Sequence, residues 1–181
     1  MPLSLAERRY IFGNCSENNI LSIFSTNNNI ISVIQGERYD IYDFLVITKN
    51  SILLLELKTR IFNFDKYNKT YFQADKLDNI KNIRNELKVK YDNKKFFFIC
   101  LIGFTKGDYN NIEDIDFNEN NEIVNMPDIE YHYIVYNKQK FAPYEKILST
   151  WRDKPQLTIN IPIADIKPFD NLISMIDNNI I

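Results

Sequence analysis

The chain is 181 residues long and poor in cysteine and histidine, with two of the former and one of the latter. Cys15 and Cys100 stand far apart and belong to no CxxC or Cys/His cluster. That excludes a disulfide framework and a thiolate zinc site, and it fits a reducing, cytoplasmic setting. Long apolar runs are missing as well. No segment approaches the roughly eighteen apolar residues a membrane span needs, and the opening MPLSLAERRY has no apolar leader, so the chain reads as soluble and unexported. Excess charge is also lacking. A formal net charge of -2 gives no global attraction to a polyanion, so any contact with nucleic acid has to come from a local patch. Glycine and alanine are scarce while asparagine and isoleucine abound, which marks an AT-rich coding sequence and says little about chemistry.

What is present is apolar material, 45% of the residues, enough for the core of one domain spanning 1–181. Ser16 reads as the N-cap of a short first helix over 17–24, with Ile20, Leu21 and Phe24 on one face. The β-branched run 30–35 reads as a first strand closed by Gly36. Two apolar runs, 41–48 and 52–58, flank Lys49, Asn50 and Ser51 and predict a β-hairpin. Helical spacing of Phe72, Leu77, Ile80, Ile83 and Leu87 predicts a long amphipathic helix over 69–90. The continuous run 96–104 predicts a strand buried on both faces near the sheet centre. Between Asp108 and Glu130 there are many acids and no lysine or arginine, which predicts an exposed insertion before a last strand over 131–136. A short helix is expected over 142–151, and Pro155, Pro162 and Pro168 break up the stretch beyond it.

The hairpin carries the chemistry. With Lys49 and Asn50 as turn residues, Asp43 stands opposite Glu56; with Asn50 and Ser51, it stands opposite Lys58. Either register leaves Asp43, Glu56 and Lys58 on one face with Ile41, Leu45, Ile47, Ile52 and Leu54, because side chains alternate with period two. Tyr42, Phe44, Val46, Leu53, Leu55 and Leu57 take the other face. Two carboxylates this close on an apolar sheet repel each other and lose solvation, so a cation is the natural compensation. Mg²⁺ prefers one or two carboxylates, several waters and a phosphate oxygen. A lysine beside it can stabilise a pentavalent phosphorus or orient the attacking water. The competing reading is a structural ion-pair cluster, which would contribute little at a sheet end.

Asp43 in YDFLVI and Glu56-Leu57-Lys58 in LLLELKTR resemble the motif of the PD-(D/E)XK nuclease superfamily, with Tyr42 where many members have proline. The resemblance covers about Gly13 to Phe104. It implies an α/β fold with a restriction-endonuclease-like core, a central mixed β-sheet flanked by helices in α-β-β-β-α-β order. It implies Mg²⁺ or Mn²⁺ held by Asp43 and Glu56, with Lys58 assisting hydrolysis of DNA by water attack. Many members carry a glutamate on the first helix shortly after a glycine, so Gly13 and Glu17 make Glu17 a further metal ligand or water-orienting group; Glu7 is a weaker substitute. Against this, Glu17 could simply complement a helix N-terminus. Gln73 and Lys76 are expected on the helix after the third strand, facing the site, unless they belong to a solvated helix face. A homodimer is compatible with the resemblance.

Lys58, Arg60, Lys66, Lys69, Lys76, Lys81, Arg84, Lys88, Lys90, Lys94 and Lys95 form a basic stripe from the motif to the buried strand, suited to a phosphate backbone. No module for reading base edges is visible, so cleavage is expected to be structure-selective or nonspecific. His132 reads as a core or surface histidine and the cysteines as buried hydrophobes. An RNA endonuclease on the same fold and a noncatalytic adaptor in a nucleic-acid-processing complex are the rival readings.

Overall fold

A computed structural model describes residues 2–37, 42–136, 138–151 and 154–181, with the side chains at 75–78, 81, 138, 140, 149–151 and 154 outside that description. The elements run in the order α1 (Leu5–Ser25), β1 (Ile30–Gln35), β2 (Phe44–Thr48), β3 (Ser51–Arg60), β4 (Lys69–Gln73), α2 (Ala74–Lys90), β5 (Lys95–Thr105), β6 (Ile129–Val135), α3 (Lys138–Phe141), β7 (Lys146–Trp151), β8 (Lys154–Pro162), β9 (Lys167–Pro168) and α4 (Phe169–Asp177). The main sheet runs β1-β2-β3-β5-β6-β9, and β4-β8-β7 form a second one. Strands β1 to β3 make an antiparallel meander, β5 lies parallel to β3, and β6 returns antiparallel to β5. This is the mixed sheet of a restriction-endonuclease-like core. The expected α-β-β-β-α-β order is present, with β4 interposed before α2.

Each face of the main sheet is buried by different elements. Phe44, Val46, Leu53 and Leu55 pack under α1 and α4, against Ile20, Phe24, Phe169 and Leu172. Leu45, Ile47, Ile52 and Leu54 face α2 and the second sheet, against Ile80, Phe72, Ile159 and Ile161. Because two layers cover β3 and β5, both read as almost unbroken apolar runs. Among the described residues no helix is long and apolar enough to cross a membrane.

Several expectations need correction. The first helix begins at Leu5, where Ser4 and Glu7 close a capping box, and Ser16 lies buried in mid-helix with its hydroxyl donating to the Phe12 carbonyl at 3.0 Å. The second helix starts at Ala74, because Thr70 and Phe72 turn inward in strand fashion and β4 pairs with β8. Residues 142–151 form no helix: α3 ends at Phe141, and β7 pairs with β8 across Leu148 and Leu157. Pro155 and Pro162 stand within β8 rather than ending order, and α4, not expected, buries Phe169, Leu172 and Ile176 under the sheet. The acidic insertion is not wholly exposed, since Ile112 and Ile115 pack with Phe12 of α1. Ile41 falls outside the described residues. Tyr42 packs on the α2 side, not the predicted far side, since regular alternation begins only at Phe44.

Candidate metal and phosphate site

Strand β2 pairs with β3 through Phe44↔Leu55, Leu45↔Leu54, Val46↔Leu53 and Ile47↔Ile52. That register selects Lys49 and Asn50 as the turn; it ends at Phe44↔Leu55, and Asp43 stands just before β2, beside β3. Asp43 is braced from both sides: its N–H donates to the Leu55 carbonyl and its carbonyl accepts from Gly36 N–H, each at 2.8 Å. The ladder of β2 stops there while β3 runs on, which would strand the Leu57 N–H. Asp43 Oδ2 accepts that bond at 2.6 Å, so its carboxylate lies beside β3 between the roots of Glu56 and Lys58.

Glu56 is fully buried, opposite Cys100 on β5. Its Oε1 lies 2.5 Å from Lys58 Nζ, and the Lys58 side chain keeps 27% exposure. Burial pulls the Lys58 pKa down, yet the charges of Glu56 and then Asp43 outweigh it and hold the amine above its ordinary value. The arrangement therefore stabilises positive charge inside the sheet. Burial, and next the Glu56 charge, push the Cys100 thiol well up, so it stays protonated and offers no thiolate ligand. Both cysteines are free. The donors that remain are hard carboxylate oxygens, one on β3 and one just before β2, and they suit Mg²⁺ or Mn²⁺ rather than a thiophilic ion.

The other predicted residues are distributed around this centre. Arg60, two residues past Lys58 on the same face, donates from a terminal guanidinium nitrogen to the Tyr71 carbonyl at 2.7 Å and lies 4.0 Å over the Tyr71 ring. Burial lowers its pKa from the ordinary value. Gln73 ends β4, at the N-cap of α2, instead of lying on the helix. Lys76 is on α2. Glu17 sits in the interior of α1, not at its N-terminus, and accepts from Gln35 Nε2 at 3.1 Å, at the sheet end where Gly36 holds Asp43. It does not join the pair: among the described residues no group of three or more His, Cys, Asp or Glu is assembled. Glu7 is occupied by the cap of α1. His132 is buried, stacked on Phe64 with ring centroids 4.0 Å apart, and touches Glu130 at 2.9 Å through Nε2.

The basic stripe is also less uniform than expected. Lys94 Nζ donates to the carbonyls of Thr48 and Lys49 at 2.7 Å, tying down the hairpin turn at the end of β2 remote from Asp43. Lys69 pairs with Glu145 at 3.0 Å. A depression of about 560 Å³ lined by Lys106, Asp108, Tyr109 and Asp128 lies beyond the carboxyl end of β5, and neither Asp43, Glu56 nor Lys58 lines it.

No family model matches the chain, and no curated protein does. A solved structure of Archaeoglobus fulgidus Hjc, a Holliday junction resolvase from an archaeal hyperthermophile, is similar over 57% of this chain and 75% of that one, at 11% identity and a TM-score of 0.37. So distant a likeness adds no weight, and the class, a restriction-endonuclease-like α/β domain, rests on strand order and register.

Proposed function

We propose that this chain is a metal-dependent nuclease of the PD-(D/E)XK type that hydrolyses DNA phosphodiester bonds by water attack. The observation that carries the reading is the buried Glu56 paired with Lys58, with the Asp43 carboxylate bonded to the Leu57 N–H between them, on a strand covered on both faces. Uncompensated charge there costs several kcal/mol, roughly, and packing alone does not call for it. Asp43 and Glu56 would hold Mg²⁺ or Mn²⁺, which when bound polarises a phosphate oxygen and lowers the pKa of a bound water.

The chain's own residues do the rest. Asp43, fixed by Gly36 and Leu55, keeps its carboxylate against β3 without relying on side-chain order. Glu56 is held rigid by burial. Lys58, partly exposed, can turn its ammonium from Glu56 toward a phosphate oxygen and offset charge that develops there. Glu17, bonded to Gln35 and apart from the pair, would act on the site only through an intervening water, as a water-orienting group rather than a direct ligand. Gln73 and Lys76 contact the strand being cut, whereas Arg60 acts through Tyr71. An intracellular setting and a homodimer go with this reading.

Purified protein given labelled DNA and Mg²⁺ or Mn²⁺ should cut it, and EDTA should stop cutting. Lys58→Ala and Asp43→Asn should each lower the rate at least about a hundredfold. Wild-type rates in both variants would sink the assignment; an RNA substrate run alongside, cut in preference, would replace DNA.

A further inference from the structure

Arg60 links the site to an exposed aromatic surface. Tyr71, on the outer face of β4, is 50% exposed although the Arg60 guanidinium lies over its ring. Thr70 and Phe72, its neighbours in β4, are buried and hold the strand in place, and the guanidinium is anchored to the Tyr71 carbonyl and, at 3.5 Å, to Thr70 Oγ1. Lys69 and Gln73 share the outer face of β4 with Tyr71, by period-two alternation. Four residues before Tyr71, Tyr67 is 51% exposed, its ring edge-on to Phe62 at 4.8 Å, with Lys66 Nζ 5.7 Å from its centroid. Two half-open rings, each paired with a cation, thus lie along the segment that leaves the site. The charge of Arg60 is felt at Lys58 itself.

Exposed aromatic faces are how proteins hold nucleotides whose bases are unpaired, because any base can stack on a ring, and a cation packed on the ring steadies it. A base inside a duplex offers no free face to such a ring. From this we infer that Tyr71 and Tyr67 form a stacking platform for unpaired nucleotides entering the Asp43–Glu56–Lys58 centre, so that the substrate class is DNA with a single-stranded segment. The inference rests on the nuclease reading for the direction of the strand and deepens it by naming that substrate. Arg60 is a positioning residue, since its fork is spent on β4 and it fixes the ring rather than a phosphate. The acidic insertion, with no basic residue between Asp108 and Glu130, offers a polyanion nothing comparable.

The test is binding without cleavage. In EDTA at low salt, fluorescence anisotropy with labelled oligothymidylate of about twenty nucleotides, longer than common single-strand site sizes, should show tighter binding than with duplex of equal length. Tyr71→Leu should weaken oligothymidylate binding at least about fivefold, and Tyr67→Leu by less, with duplex affinity changed by less than about twofold. Tyr71→Phe, which keeps the ring, should restore binding. Circular dichroism on each variant separates lost stacking from lost fold, and half-exposed positions tolerate the change. No oligothymidylate binding by wild type, equal loss on both probes, or no loss in the folded Tyr71→Leu and Tyr67→Leu variants would overturn the platform. The cleavage assay is separate: binding as described without metal-dependent cutting would fail the nuclease reading and leave the platform standing.

Discussion

Among the described residues the same kind of ion pair occurs in two opposite surroundings. Lys69 and Glu145 meet at 3.0 Å with half of each side chain in solvent, between β4 and the start of β7. Lys58 and Glu56 meet at 2.5 Å with the glutamate at 0% exposure, in the main sheet beside a second acid. The outer pair is screened by water and held further by Asn160, whose amide donates to Glu145 at 3.0 Å. Its absence would cost the fold little. The inner pair gives up solvation that a Leu–Leu pair would not, a cost that the proposed metal chemistry would account for.

The largest separation between the two should be in activity. Asp43→Asn keeps an acceptor for the Leu57 N–H and removes one of two repelling carboxylates, so cutting should vanish while the urea midpoint holds or rises; Lys69→Met should still cut. Next comes stability. Lys58→Met leaves Glu56 buried without its cation and should cost on the order of 2–3 kcal/mol, below the full buried-pair penalty because Lys58 reaches solvent, while Lys69→Met should leave the urea midpoint nearly unchanged. Equal costs for both lysines would erase the contrast.

A third pair, His132 with Glu130, lies between these extremes, with the histidine buried and the glutamate 44% exposed. Burial lowers the His132 pKa, outweighing the opposing pull of Glu130 and helped by Lys106. The folded state thus binds this proton less readily than the unfolded chain, so stability is whole above pH 6.5 or so and declines as pH falls through that ordinary value toward the lowered one. Melting temperatures at neutral pH and at about pH 5 should show a drop that His132→Phe reduces. The smallest effect is salt. Raising ionic strength should remove whatever Lys69 adds and leave most of the Lys58 contribution, as measured by the same urea midpoints.

The site was legible because it depends on local alternation. Asp43, Glu56 and Lys58 interrupt apolar runs at positions of one parity, and both candidate turns kept them together; the structure selected one. β1 and β5 were legible from local composition instead, a β-branched run and an unbroken apolar one. The outlying parts depend on partners far away in sequence. Phe72 fits a helical spacing, yet pairing of Thr70 to Gln73 with Thr158 to Ile161 makes it strand, and nothing near Phe72 announces β8. Ile147 and Trp151 likewise suit a helix turn until β8 claims them. Two signals were local and passed over: Ser4 with Glu7, a capping box ahead of α1, and Phe169, Leu172 and Ile176 at helical spacing just after Pro168. Misplacing the start of α1 also put Glu17 at a helix N-terminus, when it lies in the interior, bound to Gln35.

Whether the inner pair seats a metal ion is best decided by calorimetric titration of Mn²⁺ into the wild-type protein and into Asp43→Asn and Lys69→Met. Saturable binding in the wild type and in Lys69→Met, lost or at least about tenfold weaker in Asp43→Asn, is the predicted result. No binding to the wild type, or equal binding to all three, would make Asp43, Glu56 and Lys58 a structural cluster.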